Sequence, residues 1–343
     1  MSAERCLVLG VDVGGSTIKA EVLTEDHRPV LAGRVPTPCG DPGGTAVLDA
    51  VAGLSRDLLR AVPPDGPPVG ALGAGVPGIV DRDRGVGVFS ANLGWRDAPV
   101  AEHLRRALGL PVVVSHDVAA AGLAEQRLGA GRGANDVLFV VIGTGIAGAV
   151  LVAGELVSGG AGQAGEIGHI RMRPDGPACG CGARGCLETL ASARAVAAAY
   201  TARTGRAVRG AAEVVAALDT DADARAVWAE AVGALADGLL VTQAVLASRR
   251  VVLGGGLAAA GAALLEPLDA ALRERATVQR VPELRLAELG ERAGVVGAAL
   301  AARESLLAPR EPRFAEGPRL VEEPRLAEGS RLAEGSRLAE ERR

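Results

Sequence analysis

The stretch VLGVDVGGSTIKAEV, residues 8–22, contains two apolar runs of strand length joined by a glycine-rich turn. A second stretch, LFVVIGTGIAGAVLV at residues 138–152, has the same plan. Apolar runs on both sides of closely spaced glycines predict two strands with a tight turn between them. Since each half of the chain opens with this unit, the sequence predicts two α/β halves related by a faint internal repeat.

In the rest of the chain, runs with a strand-like pattern alternate with segments whose apolar residues recur at helical spacing. In the first half the predicted strands are residues 6–13, 18–24, 29–35, 69–76, 85–90 and 111–115, and the predicted helices lie near 44–61 and 99–108. The second half opens with a predicted helix at 117–128. In the second half, two buried strands precede a cysteine-rich loop, several alanine-rich helices between 192 and 248, a strand in RVVLGGG at 250–256, and more helix to about 306. Strands and helices mixed in both halves predict an α/β protein.

The composition favours small-molecule chemistry. The 343 residues carry 37 Lys and Arg against 41 Asp and Glu, and 48% of them are apolar. This length suffices for about two domains with a large core. A slightly acidic balance lacks the basic field that nucleic-acid and anionic-membrane binders carry. We therefore predict small molecules and other subunits as partners, with no nucleic acid and no membrane.

The beginning of the chain, MSAERCLVLG, leads directly into a strand with no apolar signal region before it. Residues 137–154 are apolar enough to satisfy a simple test for a membrane span. Gly143, Thr144 and Gly145 nevertheless divide them into two runs of strand length. We predict a cytoplasmic protein.

The last part of the chain, residues 309–343, repeats Arg, an apolar residue, Ala, Glu and a helix breaker about every six residues. A six-residue period turns by about 240° around an α-helix, so the leucines form no single stripe. Pro or Gly also interrupts each unit. The pattern predicts a disordered repetitive tail, with a coiled or partner-bound tail as the alternative.

The first glycine turn is a candidate phosphate site. Its glycines let backbone N–H groups approach an anion closely, and its hydroxyls add donors; the candidate residues are Gly14, Gly15, Ser16 and Thr17. Asp12, at the end of the preceding strand, is a candidate ligand for hydrated Mg²⁺. Lys19 is the only lysine of the chain and a candidate phosphate contact. The alternatives are an ordinary hairpin turn and a solvated surface lysine.

Two further glycine clusters are candidates for nucleotide binding. GTGIAG at 143–148 matches the pattern GxGxxG, and Glu166 lies where a dinucleotide fold places its ribose-binding acid. The run that follows, AVLVAG, is too short for the helix of that fold, so we predict a second phosphate-binding hairpin; its candidates are Gly143, Thr144 and Gly145. The third cluster, in VLGGGL at 252–257, supplies Gly254, Gly255 and Gly256, with a tight strand-to-helix turn as the alternative.

The stretch CGCGARGCLE, residues 179–188, holds three of the five cysteines of the chain. His169, in GEIGHI, precedes the first of them by ten residues. Three thiolates and one imidazole complete a tetrahedral shell for a structural Zn²⁺; the predicted ligands are His169, Cys179, Cys181 and Cys186. Disulfides are disfavoured in a reducing compartment, and unliganded reduced cysteines are the remaining alternative.

Together these motifs resemble the ROK family of repressors, uncharacterised reading frames and sugar kinases. The resemblance runs from about residue 5 to 306 and rests on the order DVGGSTIK, GVPGIVD, NLGW, GTGIAGA, GQAGEIGHI, CGCGARGCLE and LGGGL. It implies the two-domain actin-like ATPase fold, also called ribonuclease H-like, with a zinc-bound loop. The expected domains are residues 1–116 plus about 290–308, and residues 117–289.

The resemblance implies ATP-dependent phosphorylation of a hexose at its primary hydroxyl, with ATP, Mg²⁺ and structural Zn²⁺ as cofactors. Asp117 corresponds to the general base, and Gly78 lies beside the sugar; the residues expected to contact sugar hydroxyls are Asn92, Glu166, His169 and Glu188. Relatives also imply a homodimer or homotetramer. Glucose is the first expectation for the substrate. The alternatives are N-acetylmannosamine, N-acetylglucosamine or fructose, and, as other classes, a sugar-responsive regulator or a non-catalytic sugar-binding protein.

The sequence departs from the family around the base. Kinases of this group show Asn-Asp-x-Asn, whereas this chain has SHDVAAA, with His116 before Asp117 and Ala119 in place of the second Asn. An imidazole in place of an amide changes how a sugar hydroxyl is bound, so His116 is a candidate sugar contact. A structural role for His116 is the alternative.

Overall fold

The computed structural model describes residues 6–307, so the predicted disorder of residues 309–343 lies outside the described part of the chain. The strands are β1 (Leu7–Val13), β2 (Thr17–Leu23), β3 (Pro29–Pro36), β4 (Val69–Val76), β5 (Ile79–Asp81), β6 (Val86–Ser90), β7 (Trp95–Ala98), β8 (Val112–His116), β9 (Val137–Ile142), β10 (Ile146–Val152), β11 (Glu155–Val157), β12 (Arg250–Gly254) and β13 (Glu283–Leu286). The α-helices are α1 (Thr45–Ala61), α2 (Val100–Leu108), α3 (Asp117–Leu128), α4 (Glu188–Ala191), α5 (Ala193–Thr204), α6 (Ala211–Ala216), α7 (Ala222–Leu246), α8 (Ala262–Arg275) and α9 (Ala293–Leu307).

Two five-stranded sheets repeat one topology. The first has the order β3-β2-β1-β4-β8, and the second has the order β11-β10-β9-β12-β13. In each sheet the opening hairpin is antiparallel, whereas the strands on its other side run parallel. The internal repeat predicted from the two strand–turn–strand units is therefore present in the fold.

Helices α3 and α9 pack against each other and between the two sheets. Glycines make this close approach feasible: a Cβ on Gly73 of β4 would lie 1.8 Å from the carbonyl oxygen of Ala298. A Cβ on Gly297 of α9 would lie 1.7 Å from the carbonyl oxygen of Ala120 on α3. Larger side chains at these positions would push α9 away from the sheet and from α3.

The structure corrects the prediction of continuous helix from residue 257 to 306. Glu283–Leu286 form β13, which pairs in parallel with β12. The local pattern after Pro282 alternates polar and apolar residues, Glu-Leu-Arg-Leu, as a strand edge requires. The short strands β5 and β7, which flank β6 in a third sheet, were also absent from the predicted elements. The predicted domain limits stay a prediction.

Residues 137–154 form β9 and β10 joined by a glycine turn, as predicted. Among the described residues, α7 alone has the length and apolar composition of a membrane-spanning helix. Within its most apolar window, 61% of the residues are buried inside the protein, a feature that core helices share.

A buried carboxylate joins α3 to the segment before α9. Glu125 is fully buried and accepts backbone N–H bonds from Ala130 (2.9 Å), Glu288 (3.1 Å) and Leu289 (2.7 Å). Nothing in the sequence pattern of α3 indicates this role, since two of the donors lie more than 160 residues away. These hydrogen bonds therefore hold residues 288–289 against α3, just before α9 begins.

We expect Glu125→Ala to lower the free energy of unfolding by about 2 kcal/mol or more, because one buried and two part-buried N–H donors lose their acceptor. Glu125→Gln retains one acceptor oxygen and should fall between the wild type and the alanine variant. The matched control is Glu304→Ala, which removes an exposed carboxylate and should cost less than about 0.5 kcal/mol. Urea unfolding measures all three. An alanine variant as stable as the control would contradict the bracing role.

Candidate active site

Two acidic residues lie at the carboxyl edge of the first sheet. Asp12 is near the end of β1, and Asp117 begins α3 directly after β8. Burial, and next the negative charge of Asp117, raise the pKa of Asp12 to about 7, while Lys19 opposes the shift. Two carboxylates close enough for one to raise the pKa of the other are a suitable environment for a divalent cation. This environment suits the predicted role of Asp12 as a Mg²⁺ ligand, which stays a prediction.

In metal-free buffer we expect Asp12→Asn to stabilise the protein at pH 8 but not at pH 4. A folded-state pKa above the unfolded value means that the folded protein binds the proton more tightly. The wild-type stability therefore falls as the pH rises from about 4 to about 7. Asp12→Asn cannot lose stability in this way. At pH 8 its free energy of unfolding should therefore exceed that of the wild type by at least about 1 kcal/mol. Urea unfolding measures the difference in free energy of unfolding between the variant and the wild type. The same difference at pH 4 and at pH 8 would contradict the raised pKa of Asp12.

One oxygen of the Asp117 carboxylate, Oδ1, has two close polar neighbours. Oδ1 accepts the Val118 backbone N–H at 2.7 Å, and His116 Nε2 lies 3.3 Å from the same oxygen. These neighbours engage Oδ1, so Oδ2 is the candidate acceptor of a proton. The structure thus places His116 against Asp117, the predicted base.

His116 and Glu166 also line one small pocket. Its other walls include Val80, Arg82, Ala119, Val157, Ser158 and Ala164. Arg82 donates a hydrogen bond to Ser158 Oγ at 3.1 Å and so joins two sides of the pocket. The pocket lies where Ala119 replaces the Asn of the family pattern.

The predicted sugar residue Asn92 lies beside the first glycine turn. Its Cβ is 4.0 Å from the position that a Cβ on Gly15 would take. Gly78 has a φ of +96°, and a Cβ there would lie 2.1 Å from the carbonyl oxygen of Phe89. Glycine is therefore required at position 78 for the packing of β6, whether or not a sugar lies next to it.

Thr37, the residue that follows β3, supports the first glycine turn through two hydrogen bonds. Gly14 N–H donates to the Thr17 carbonyl at 3.0 Å, which closes the turn. Thr37, which is buried, donates its hydroxyl to the Gly14 carbonyl at 2.7 Å and its N–H to the Ser16 carbonyl at 3.0 Å. Thr37 carries no sequence motif, so the sequence analysis missed it.

Lys19 makes a surface ion pair. Its Nζ lies 2.9 Å from Glu291 Oε2, and the Glu291 side chain is 86% exposed. This is the kind of contact that the sequence analysis left as the alternative to phosphate binding. A phosphate contact of Lys19 stays a prediction and would require this exposed pair to open.

The second and third glycine clusters lie side by side. Gly143 N–H donates to the Gly145 carbonyl at 2.9 Å, which closes the turn between β9 and β10. Gly255 has a φ of +82°, and a Cβ there would lie 2.6 Å from the carbonyl oxygen of Ile142. Gly254 packs against the Phe139 ring, where a Cβ would lie 3.1 Å from it. The ends of β9 and β12 therefore lie next to each other at one edge of the second sheet.

Around Gly256 a Cβ would meet nothing within 4 Å, so the third cluster leaves open space on that side. The chain then continues through a 3₁₀ turn, residues 256–260, into α8. Thr144 lies in the β9–β10 turn between the two glycines of that hairpin. These positions suit the predicted nucleotide contacts, which stay predictions.

The four predicted zinc ligands form one cluster. His169 Nδ1 lies 3.6 Å from Cys179 Sγ, Cys181 Sγ lies 3.7 Å from Cys186 Sγ, and the ligand atoms of the four residues lie within 4.8 Å of one another. A tetrahedral Zn²⁺ with ordinary bond lengths separates two sulfurs by about 3.8 Å, and sulfur from nitrogen by about 3.6 Å. The donor set and its spacing therefore fit Zn²⁺ with no ligand position left open.

The buried Cys186 thiol holds its proton firmly when no metal ion is bound. Burial, and next its hydrogen bonds with the two other cysteines, raise the pKa of Cys186 to about 12. A thiolate at that position is stable only if a metal ion replaces the proton. Zinc supplies that charge when bound and holds the loop closed.

His169 connects the zinc cluster to the cleft. Its Nδ1 faces Cys179, whereas its Nε2 lies 3.8 Å from Glu166 Oε2. One ring can therefore serve both as a metal ligand and as a neighbour of the sugar residues. This geometry accommodates the two roles that the sequence analysis gave to His169.

Glu188 lies in the first turn of α4, two residues after Cys186. Its Oε2 accepts the Ile146 N–H at 3.0 Å, and Arg194 Nη2 lies 3.5 Å from its Oε1. The carboxylate is mostly buried, with a side-chain exposure of 16%. The structure therefore places Glu188 against the second glycine hairpin, a contact that the sequence analysis did not foresee.

Comparison with known proteins agrees with this fold and site. Residues 8–305 match the model of the ROK family. The chain is 35% identical over 319 residues to a glucokinase of Streptomyces coelicolor, covering 87% of this chain and 98% of that protein. Its fold is similar to that of a ROK hexokinase from Thermus thermophilus, with a TM-score of 0.76, 36% identity, and coverage of 88% of this chain and 99% of that one.

A ROK glucokinase from Streptomyces griseus, solved in complex with glucose and AMPPNP, gives a TM-score of 0.73 at 32% identity. The match covers 87% of this chain and 99% of that one. These neighbours confirm the predicted actin-like ATPase fold with a Cys/His cluster suited to zinc. The chain belongs to the ROK family.

Proposed function

We propose that this protein transfers the γ-phosphate of ATP to the primary hydroxyl of glucose. The observation that carries the proposal is the Asp117 carboxylate, held through Oδ1 at the carboxyl edge of the first sheet beside Asp12. A similar chain, the glucokinase from Streptomyces griseus, binds glucose and AMPPNP. The cytoplasmic location predicted from the sequence would give the protein access to ATP.

Asp117 acts as the general base. Its Oδ2 accepts the proton of the primary hydroxyl as the hydroxyl oxygen bonds to the γ-phosphorus, and the bond from that phosphorus to the bridging oxygen of ADP breaks. The Val118 N–H fixes Oδ1, so the base keeps one orientation during proton transfer. A Mg²⁺ ion held by Asp12 neutralises charge on the phosphates when it is bound.

Polar groups around the cleft select the sugar. Asn92, Glu166, His169 and Glu188 are the proposed contacts of its hydroxyls. Carboxylates and amides held rigidly around a pocket reject the wrong epimer, because its hydroxyls leave them unpaired. His116 and the pocket beside Ala119 would distinguish substituted hexoses from glucose, since they line the wall next to Glu166.

The zinc cluster has a structural role in this proposal. Its four protein ligands leave no position for a substrate oxygen. It orients His169 and fixes the start of α4, from which Glu188 extends. Loss of the metal would therefore displace two proposed sugar contacts without removing the base.

We also propose that the protein assembles as a homodimer or homotetramer. Val245 on α7 and Val278 are 80% and 93% exposed. Val245 lines a shallow surface depression together with Leu240, Val241 and Gln279. Apolar side chains grouped in this way are typical of a subunit interface, and sedimentation velocity at micromolar concentration would test the assembly.

A coupled assay of ADP release tests the function. Purified protein with MgATP is supplied in turn with glucose, N-acetylmannosamine, N-acetylglucosamine and fructose. We expect the highest kcat/KM with glucose. A higher value for an acylated sugar would overturn glucose as the substrate and assign the pocket beside Ala119 to the acyl group. ADP release that does not depend on any sugar would overturn the kinase.

A further inference from the structure

The second glycine hairpin is held by the segment that follows the last zinc ligand. Glu188 Oε2 accepts the N–H of Ile146, the residue directly after the turn, at 3.0 Å. The N–H of Ala193, at the start of α5, donates to the Gly143 carbonyl at 2.9 Å. Both ends of the turn are therefore fixed by residues 188–193.

The Glu188 carboxylate also fills the space next to the turn. A Cβ on Gly145 would lie 2.3 Å from Glu188 Oε2 and 3.1 Å from its carboxyl carbon. A Cβ at position 145 would therefore displace the Glu188 carboxylate from the turn.

The two oxygens of Glu188 have different surroundings. Oε2 is taken up by the Ile146 N–H, whereas Oε1 has Arg194 Nη2 at 3.5 Å. A carboxylate beside an anion-binding turn would repel phosphate unless its charge is compensated. The N–H bond and the Arg194 guanidinium provide that compensation.

We propose that Glu188 is a positioning residue for nucleotide binding, acting through Oε2 on the hairpin that carries Gly143, Thr144 and Gly145. This inference rests on the proposed function, which assigns Glu188 to the sugar alone. A phosphate-binding turn is effective only while its N–H groups keep their direction, and the Ile146 hydrogen bond fixes the end of the turn. In this proposal one carboxylate serves both substrates: the nucleotide through the hairpin, and the sugar through the proposed contact with its hydroxyls.

The affinity for AMPPNP in the absence of sugar tests the proposal, with calorimetry as the measurement. Glu188→Ala should weaken AMPPNP binding about tenfold, the loss of one hydrogen bond to a charged group. Glu188→Gln keeps an acceptor oxygen for Ile146 and should stay within about threefold of the wild type, although both variants should raise the KM for glucose. The matched control, Glu166→Ala, should raise the KM for glucose and leave AMPPNP affinity unchanged.

Gly145→Ala provides a second test outside the zinc loop. Its new Cβ would push against Glu188, so it should weaken AMPPNP binding in the wild-type background and do so much less in the Glu188→Ala background. Zinc content and melting temperature verify that each variant is folded.

Three results would overturn the proposal: unchanged AMPPNP affinity in Glu188→Ala, equal losses in the alanine and glutamine variants, or additive effects of the two sites. A wild-type protein that binds no AMPPNP would instead refute the proposed kinase function.

Discussion

Asp117→Asn is expected to lower kcat by at least about a hundredfold while glucose affinity stays within about threefold. General-base catalysis contributes on the order of a hundredfold to ten-thousandfold, and an amide oxygen cannot take up the proton of the hydroxyl. The asparagine has the same size, and its oxygen can still accept the Val118 N–H, so the geometry is preserved. Steady-state kinetics and glucose calorimetry measure the two quantities.

The matched control is Asp269→Asn, which changes an acid paired with Arg273 on the surface of α8. It should leave kcat and both KM values unchanged. Turnover of Asp117→Asn within about tenfold of the wild type would contradict the assignment of the base. A parallel loss of glucose affinity would indicate that Asp117 mainly binds the sugar.

Loss of zinc is expected to have the second largest effect. The purified protein should contain about one Zn²⁺ per chain, because a closed four-ligand site binds tightly and folds its own loop. Cys181→Ala removes one ligand and should reduce the zinc content to below about a tenth per chain. The KM for glucose should rise about tenfold or more, since His169 and Glu188 both lose their support.

The KM for ATP should rise less than the KM for glucose in Cys181→Ala. The zinc loop contacts the predicted nucleotide hairpin through Glu188 and the segment after it, whereas His169 and Glu188 are both proposed to contact the sugar directly. Cys39→Ala is the matched control, because Cys39 is exposed and lies outside the cluster. Elemental analysis and two-substrate kinetics check the prediction. Active wild-type enzyme without zinc, or a Cys181→Ala variant impaired only toward ATP, would contradict the structural role.

The fold was largely predictable because its signals are local. A strand–turn–strand unit appears twice in the sequence, and the two sheets repeat it in the same strand order. The short strands were not predictable. Glu283–Leu286 offer only four alternating residues after a long helical region, and their pairing with β12 depends on a partner some 30 residues away. Pairing partners, rather than local propensity, decide such edges.

The zinc ligands were predictable for the same reason. Three cysteines within eight positions and a histidine ten residues earlier give a metal-binding pattern in one short segment, and the structure brings all four together. The contact of Glu188 with Ile146 spans 42 residues and leaves no pattern in the sequence. Thr37 bracing the first glycine turn and Glu125 bracing α9 are likewise visible only once distant segments meet.

The contacts of single side chains that belong to no sequence pattern could be found only from the structure. Lys19 attracts attention as the only lysine, yet its nearest partner is the exposed Glu291. His116 departs from the family pattern, and the sequence left open whether it meets the sugar or the protein. The structure places its Nε2 3.3 Å from Oδ1 of Asp117, the proposed base.

The central claim, phosphoryl transfer from ATP to the primary hydroxyl of glucose, is tested most directly by identifying the product. Purified protein is incubated with MgATP and glucose labelled with ¹³C at the primary carbon, and the mixture is followed by ³¹P and ¹³C NMR. We predict equal amounts of ADP and glucose phosphate, with phosphorus coupling at the labelled carbon. Free phosphate in place of the sugar ester, a phosphate on another carbon, or no ATP consumption would contradict the account.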